Sequence, residues 1–190
     1  INIRQVEGKG FQEVNEKPFK KFKQWVREEI DTPLLKEMFP IGQRLNDLYW
    51  EAHDGRTRLP RHVTNEIHQN PSIYGKPGLT MGRQIGAYPI LMGVNYHIPL
   101  ETSSDVIVTG HGSRSLTGIE IGLDPNVMTE RQFRSIPGIG DKAAWKIVST
   151  RANRLSMNSD SPAFENIHDV FDAIDIEMPE IATLVMEVRN

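Results

Sequence analysis

The stretch "SIPGIGDKAAWKIVSTRANR", residues 135–154, decides how the C-terminal part of this chain folds. Two glycines flank an isoleucine in Pro137-Gly138-Ile139-Gly140, and a lysine-bearing segment with a helical pattern follows. Glycine permits a tight turn and close approach of another backbone. A helix N-terminus exposes unpaired N–H groups and partial positive charge. The pattern predicts two helices with Ile139 packed between them and a turn that can hold a phosphate group.

Several residues at this turn are candidates for binding nucleic acid. We expect the N–H groups of Gly138 and Gly140 to contact phosphate and Lys142 to add positive charge in the first helical turn. Asp141 would repel a phosphate at the same place. An alternative is that the glycines only make a tight turn for packing or for contact with another protein. The predicted set at the turn is Gly138, Ile139, Gly140, Lys142, Lys146 and Arg151, with further charge from Arg131, Arg134 and Arg154.

This stretch resembles the helix–hairpin–helix motif. The matching positions are Ile136, Pro137, Gly138, Ile139, Gly140, Ala144 and Ile147. The resemblance implies a grip on the nucleic-acid backbone that does not read bases. Such a grip does not distinguish RNA from DNA.

The rest of the chain predicts an α+β fold. Apolar residues recur every three or four positions in residues 19–38, which indicates a helix that Pro33 should kink or split, with Asp31 and Thr32 capping the second piece. A short strand is predicted at residues 1–6. Glycine-bounded apolar segments predict strands at 45–52, within 81–94, at 104–110 and at 114–121, hence a small antiparallel barrel with a long insertion at 56–80. Helices are predicted at 129–136, 141–153, 167–174 and 179–188.

The segment "DVIVTGHGSRSLTGIEI", residues 105–121, resembles the last two strands of the TRAM domain, an OB-like barrel that binds RNA. The resemblance implies a barrel that helps to position RNA. Charged, aromatic and polar side chains suit contact with single strands. Arg83 and Arg114 are the barrel residues predicted to contact nucleic acid, with support from Gln84, Tyr88 and Ser115.

The order of the segments is similar to the C-terminal part of an archaeal radical S-adenosylmethionine family that ends in a helix–hairpin–helix motif. The segments are "INIRQV", "FKQWVREEIDTPLLKEMFPIG", "GRQIGAYPILMGV" and the two stretches described above. The resemblance implies that the parent protein is an enzyme with a 4Fe–4S cluster and S-adenosylmethionine. This chain would be its substrate-recruiting end, packed beside the upstream catalytic barrel, with regions at 1–42, 43–123 and 124–190.

Composition limits the chemistry of the chain itself. Its 190 residues include no cysteine, so no thiolate can hold a zinc ion or an iron–sulfur cluster here. No catalytic set, metal site or cofactor site is predicted. The net charge of −3 requires any nucleic-acid surface to be local. The absence of an apolar run of about 18 residues predicts no membrane span, and a cytoplasmic protein is expected. We expect Trp25, Trp50 and Trp145 to serve in packing.

Two functions remain open at this point. The first is binding of nucleic acid, in particular RNA, through the turn and the barrel. The second is a protein-interaction module in which the helical hairpin docks a partner or the catalytic barrel. The missing initiator methionine also leaves open whether the sequence belongs to a longer protein.

Overall fold

The computed structural model describes residues 15–54, 73, 78–85, 90–112 and 114–189. The predicted strand at 1–6, most of the predicted insertion at 56–80, and Tyr88 lie outside the described residues. The statements below concern the described residues.

The N-terminal segment is one continuous helical rod. It consists of α1 (Glu16–Val26), a π-helical turn (Arg27–Asp31) and α2 (Thr32–Met38). The chain does not leave the helix at Pro33, which lies in the first turn of α2, although a wider π-helical turn interrupts the regular α-helix directly before it. The predicted cap is wrong, since Asp31 has helical backbone angles and makes no side-chain capping hydrogen bond.

Five strands close into a barrel in the order β1-β2-β3-β5-β4. The order β4-β1-β2-β3 within it is a Greek key, and a five-stranded Greek-key barrel is OB-like. Every neighbouring pair is antiparallel except β3 and β5, which run parallel. The prediction of a purely antiparallel barrel is therefore corrected, because five strands cannot close into a ring in which every neighbour alternates in direction. The strands are β1 (Arg44–Asp54), β2 (Leu79–Gln84), β3 (Leu91–Val94), β4 (Ser103–His111) and β5 (Ser115–Glu120).

The helical region after the barrel contains four helices within the described residues. Thr129 caps the first of them, as predicted, in a reciprocal pair with Gln132. The last helix is shorter than predicted, and Leu184 on it is exposed instead of buried. The helices are α3 (Glu130–Arg134), α4 (Asp141–Met157), α5 (Ile167–Asp172) and α6 (Ala182–Val185).

These helices lie in two segments whose buried positions partly repeat each other, which the sequence analysis missed. We call residues 129–157 the first hairpin and residues 166–186 the second hairpin. The Ile136 N–H donates to the Phe133 carbonyl at 3.0 Å, and 38 residues later the Ile174 N–H donates to the Phe171 carbonyl at 3.1 Å. The buried pairs at this spacing are Phe133 and Phe171, Ile136 and Ile174, Ala144 and Ala182, Ile147 and Val185, and Val148 and Met186.

The barrel and the hairpins share one apolar core. The chain end pairs with the end of the barrel, because the Leu123 N–H donates to the Val185 carbonyl and the Glu187 N–H donates to the Leu123 carbonyl, both at 2.9 Å. Arg131 adds a bond from its guanidinium to the Asn95 carbonyl at 3.2 Å. The turn of the first hairpin is thus held on a packed scaffold.

Candidate functional site

The turn of the first hairpin joins α3 to α4 through residues 135–140. The Ile139 N–H donates to the Ile136 carbonyl at 3.0 Å, which closes the turn. The Ile139 side chain is buried in the core, as the sequence indicated. Pro137, Gly138 and Gly140 remain exposed, so the turn presents backbone to solvent.

The two glycines of this turn differ in whether the fold requires a glycine at their position. Gly138 has a φ of +94°, and a Cβ there would lie 3.0 Å from Cγ of Pro179 in the second hairpin. The fold therefore requires glycine at this position. Gly140 has a φ of −83°, and no atom of the described residues lies within 4 Å of the place a Cβ would take. The fold would accept a side chain at Gly140, and its absence leaves the start of α4 open.

Gly140 is the N-cap of α4, a helix of 17 residues, and no side chain in the described part of the chain caps that end. The first N–H groups of a helix have no partner within the helix and bring a partial positive charge to its start. A side chain such as serine or aspartate at the N-cap would normally accept from one of them. The open end of α4 therefore offers N–H donors to an anion that approaches past Gly140.

Asp141 is held by an ion pair within the first hairpin. Arg134 Nε lies 2.8 Å from Asp141 Oδ1, and Arg134 also lies near Glu130. The pair reduces the negative charge that would oppose a phosphate at the helix start. Because both side chains are substantially exposed, solvent screens this contact and it adds little to stability.

The two lysines of the site differ in their surroundings. Lys142 lies in the first turn of α4, is exposed, and has no hydrogen-bond or ion-pair partner among the described residues. Lys146 follows one turn later, and its Nζ donates to the Ile174 carbonyl at 2.6 Å near the end of α5. Lys142 is therefore available to a ligand, whereas Lys146 also ties the two hairpins together.

Arg151 does not lie in the exposed site. Its side chain is 7% exposed, and one guanidinium nitrogen donates to the Met128 carbonyl at 2.6 Å and the Pro125 carbonyl at 3.0 Å. Burial lowers the pKa of Arg151, and the negative charge of Asp124 partly opposes this change. The structure places Arg151 in the packing of the helical region, which corrects its predicted place in the interface.

The other arginines near the turn also have structural partners. Arg131 is buried, and burial lowers its pKa with a smaller contribution from the charge of Arg134. Arg154 donates to the Asp169 carboxylate at 2.8 Å and the Ala163 carbonyl at 2.8 Å. These arginines join helices and connections to one another, so Lys142 is the better candidate for direct contact with phosphate.

The two predicted barrel residues lie at the outer surface of the barrel. Arg83 on β2 is opposite Tyr49 on one side and Leu91 on the other, and Leu91 is opposite Ser115. The strand register therefore brings Arg83 and Ser115 into one row across the barrel. Arg83 pairs with Glu51 at 3.4 Å.

Arg114 lies directly before β5 and faces the N-terminal helical rod. Its Nε lies 3.7 Å from Oδ2 of Asp31, which is buried in the π-helical turn. Arg114 thereby connects the barrel to the rod, a role the sequence did not indicate.

Two buried aromatic side chains on the barrel wall, Trp50 and Tyr96, bond to the half-buried residues Ser104 and Glu120. Trp50 Nε1 donates to Ser104 Oγ at 2.8 Å, and the Glu120 N–H donates to the Tyr96 hydroxyl at 2.9 Å. Burial raises the pKa of Glu120, while hydrogen bonds from Ser104 and Tyr96 act in the opposite direction. Burial also raises the pKa of Tyr96, and the charge of Glu120 adds to this rise. The partners of these groups are internal, which indicates a structural role.

The three tryptophans do not all serve in packing. Trp50 is fully buried, in agreement with the prediction. Trp25 is 52% exposed and Trp145 is 56% exposed, so the prediction is wrong for these two. Spacing could not reveal this, because an apolar residue on a helix has the same periodicity whether or not another element covers it.

The described part of the chain offers no group of three or more histidine, cysteine, aspartate or glutamate side chains placed to hold a metal ion. A 4Fe–4S cluster does not fit this chain, since the sequence has no cysteine to bind its iron. In the same described residues, no helix combines the length and the apolar character that a membrane crossing needs.

Two proteins resemble this chain in sequence. An uncharacterized protein of Archaeoglobus fulgidus is 34% identical over 148 residues, and an uncharacterized protein of Methanocaldococcus jannaschii is 32% identical over 129 residues. The alignments cover 73% and 62% of this chain but 24% and 20% of the two relatives. The chain thus spans a quarter or less of the relatives it matches. No family model and no solved structure matches the chain.

Proposed function

We propose that this chain binds nucleic acid, in particular RNA, by holding the phosphate backbone at the turn of the first hairpin. The observation that carries the proposal is Gly140, a glycine that the fold does not require, at the uncapped start of a 17-residue helix. Lys142 adds an available cation in the first turn of α4, and Arg134 pairs with the neighbouring acid. Backbone donors and a lysine together suit a phosphate group.

The barrel would extend the contact. Arg83 and Ser115 share one row on its outer face, and a single strand lying across that row would meet a guanidinium and a hydroxyl. The barrel contact is secondary to the turn, because Arg83 already pairs with Glu51 and would have to exchange that partner for phosphate.

We further propose that the longer protein is a radical S-adenosylmethionine enzyme to which this region delivers its substrate. The support is the order of sequence segments, together with archaeal relatives four to five times longer than the parts that match. The cluster and S-adenosylmethionine would be held outside this chain, whose own residues bind and orient nucleic acid.

The test is a fluorescence-anisotropy titration of the chain with labelled tRNA and with duplex DNA, at two salt concentrations. Binding that weakens steeply as salt rises is expected, because phosphate contact releases counterions. The decisive variants are Gly140→Asn and Gly140→Asp, which have nearly the same shape and are both good N-caps. The aspartate variant should bind much more weakly than the asparagine variant, since only it adds negative charge at the phosphate.

Lys142→Gln should weaken binding and reduce the salt dependence, whereas Lys36→Gln is the matched control on α2. Lys36 is also an exposed lysine, but it lies on the N-terminal rod. Equal affinity of the Gly140→Asn, Gly140→Asp and Lys142→Gln variants with the unaltered chain would refute binding at the turn.

A second candidate function is docking of a protein through α1. The rings of Phe22 and Trp25 stack with their centroids 6.1 Å apart, and each side chain is about half exposed. Apolar docking would be insensitive to salt and would be weakened by Trp25→Ser but not by Lys142→Gln. The salt series therefore separates the two functions.

A further inference from the structure

Trp145 is an exposed indole on α4, one helical turn after Lys142. Residues three apart on a helix are neighbours on its surface, and helical side chains lean toward the N-terminus. Trp145 therefore lies beside Lys142 on the surface of the first turns of α4. It is 56% exposed, and no aromatic ring among the described residues stacks on it.

The second hairpin shows that the fold does not need a tryptophan at this position. The residue 38 positions after Trp145 is Thr183, which is exposed, and the residue 38 positions after Lys142 is Glu180. Five buried positions of the two hairpins correspond at this spacing, while these surface positions differ. The tryptophan and the lysine are therefore features of the surface of the first hairpin, not of the packing that both hairpins share.

We infer that Trp145 stacks on an unpaired base of the RNA whose phosphate is held at Gly140 and Lys142. The inference rests on the proposed function and adds the kind of substrate: a strand with at least one unstacked nucleotide next to the gripped phosphate. An indole presents a flat apolar face to any base, and the lysine charge suits the adjoining phosphate. In a continuous duplex the base faces are covered by stacking, so Trp145 would favour single-stranded or looped RNA.

The experiment compares a fluorescently labelled 12-nucleotide RNA without self-complementarity with its duplex form. Both are titrated into the full chain and into the variants Trp145→Thr, Trp145→Phe and Lys142→Gln. Trp145→Thr introduces the residue type that the second hairpin has at the corresponding position, Thr183. The variant should fold normally, which an unchanged thermal melting curve would verify. It should weaken single-strand binding about 5- to 100-fold, while duplex binding changes little. Trp145→Phe should restore part of the loss, because it keeps a ring.

A second measurement reports on the indole directly. In a Trp25→Phe background, Trp145 and the buried Trp50 are the remaining tryptophans of the chain. Single-stranded RNA should then quench the exposed tryptophan fluorescence, and the same RNA as a duplex should quench it much less.

The outcomes separate this inference from the proposed function. If Lys142→Gln weakens binding but Trp145→Thr does not, base stacking is refuted and the phosphate grip stands. If Trp145→Thr weakens single-strand and duplex binding equally, or Trp145→Phe restores nothing, stacking on an unpaired base is likewise refuted. If the unaltered chain binds neither RNA, both proposals fail, and a protein partner for Trp145 becomes the explanation of its exposure.

Discussion

The two hairpins of the helical region share part of a core pattern and differ in the charge of their surfaces. Five of their buried residues correspond at a spacing of 38 residues, and the turns begin with the same backbone hydrogen bond. The first hairpin has four lysines and arginines that are not buried, Arg134, Lys142, Lys146 and Arg154, against two acids, whereas the second has five acids and neither lysine nor arginine. Both hairpins therefore pack with similar buried residues, and the surface residues that differ between them are available for function.

The comparison also distinguishes the glycines. Gly138 is needed because its backbone is left-handed and Pro179 of the second hairpin lies against it. Gly140 is not needed by the fold, and Met178 stands 38 residues later in the second hairpin. A residue that the shared fold does not require is better evidence for function than one that it does.

The largest effect is expected from removing the shared core. Phe133→Ala and Phe171→Ala should each lower the free energy of unfolding by about 3–5 kcal/mol, because both rings are fully buried and their loss leaves cavities. Urea denaturation would measure both, with Leu184→Ala as the surface control. If only one of the two variants has a lower free energy of unfolding, the two hairpins are not equivalent.

A smaller loss is expected from Arg151→Met, which keeps the apolar stem but leaves the Met128 and Pro125 carbonyls without their donor. The free energy of unfolding should fall by about 1–3 kcal/mol. The affinity for RNA should be unchanged at temperatures where the variant is folded. If the variant keeps its stability but loses RNA binding, the prediction that Arg151 contacts nucleic acid would be supported instead.

The two glycines should respond differently to substitution. Gly138→Ala should lower the free energy of unfolding by about 1–3 kcal/mol, since alanine disfavours a φ of +94° and its Cβ would press on Pro179. Gly140→Ser should not lower it, because serine is a favourable N-cap and has space there. Thermal and urea unfolding would test both, and equal losses would contradict the distinction drawn here.

The smallest effect on stability is expected from Glu120→Gln, a substitution in the barrel that leaves both hairpins unaltered. The pKa of Glu120 in the barrel is raised above its usual 4.5, so the fold favours the protonated carboxyl. Its contribution to stability is fully present below pH 4.5 and is lost as pH rises through the folded-state pKa.

Glu120→Gln should remove this part of the pH dependence, which urea denaturation between pH 4 and pH 7 would measure. Gly140→Ser serves as the control and should retain the pH profile of the unaltered chain. A Glu120→Gln profile that also matches the unaltered chain would show that Glu120 does not contribute to it.

Local sequence patterns predicted much of the fold. The strands of the barrel, the cap at Thr129 and the burial of Ile139 follow from alternation, capping chemistry and the glycine turn, all of which act within a few residues. The parallel pairing of β3 with β5 was missed, because it follows from closure of the whole ring and not from either strand. The repeat was missed because the helices of the second hairpin are short and its turn contains no glycine pair.

The sequence by itself determined where the chain turns, that a helix begins directly after Gly140, and that no cysteine is present for a metal cluster. Only the tertiary structure decided which charged and aromatic side chains remain on the surface. It placed Arg151 inside, paired Arg134 with Asp141, and left Lys142 and Trp145 exposed. The physical reason is that burial depends on which distant element covers a side chain, and neighbouring residues along the chain do not specify that element.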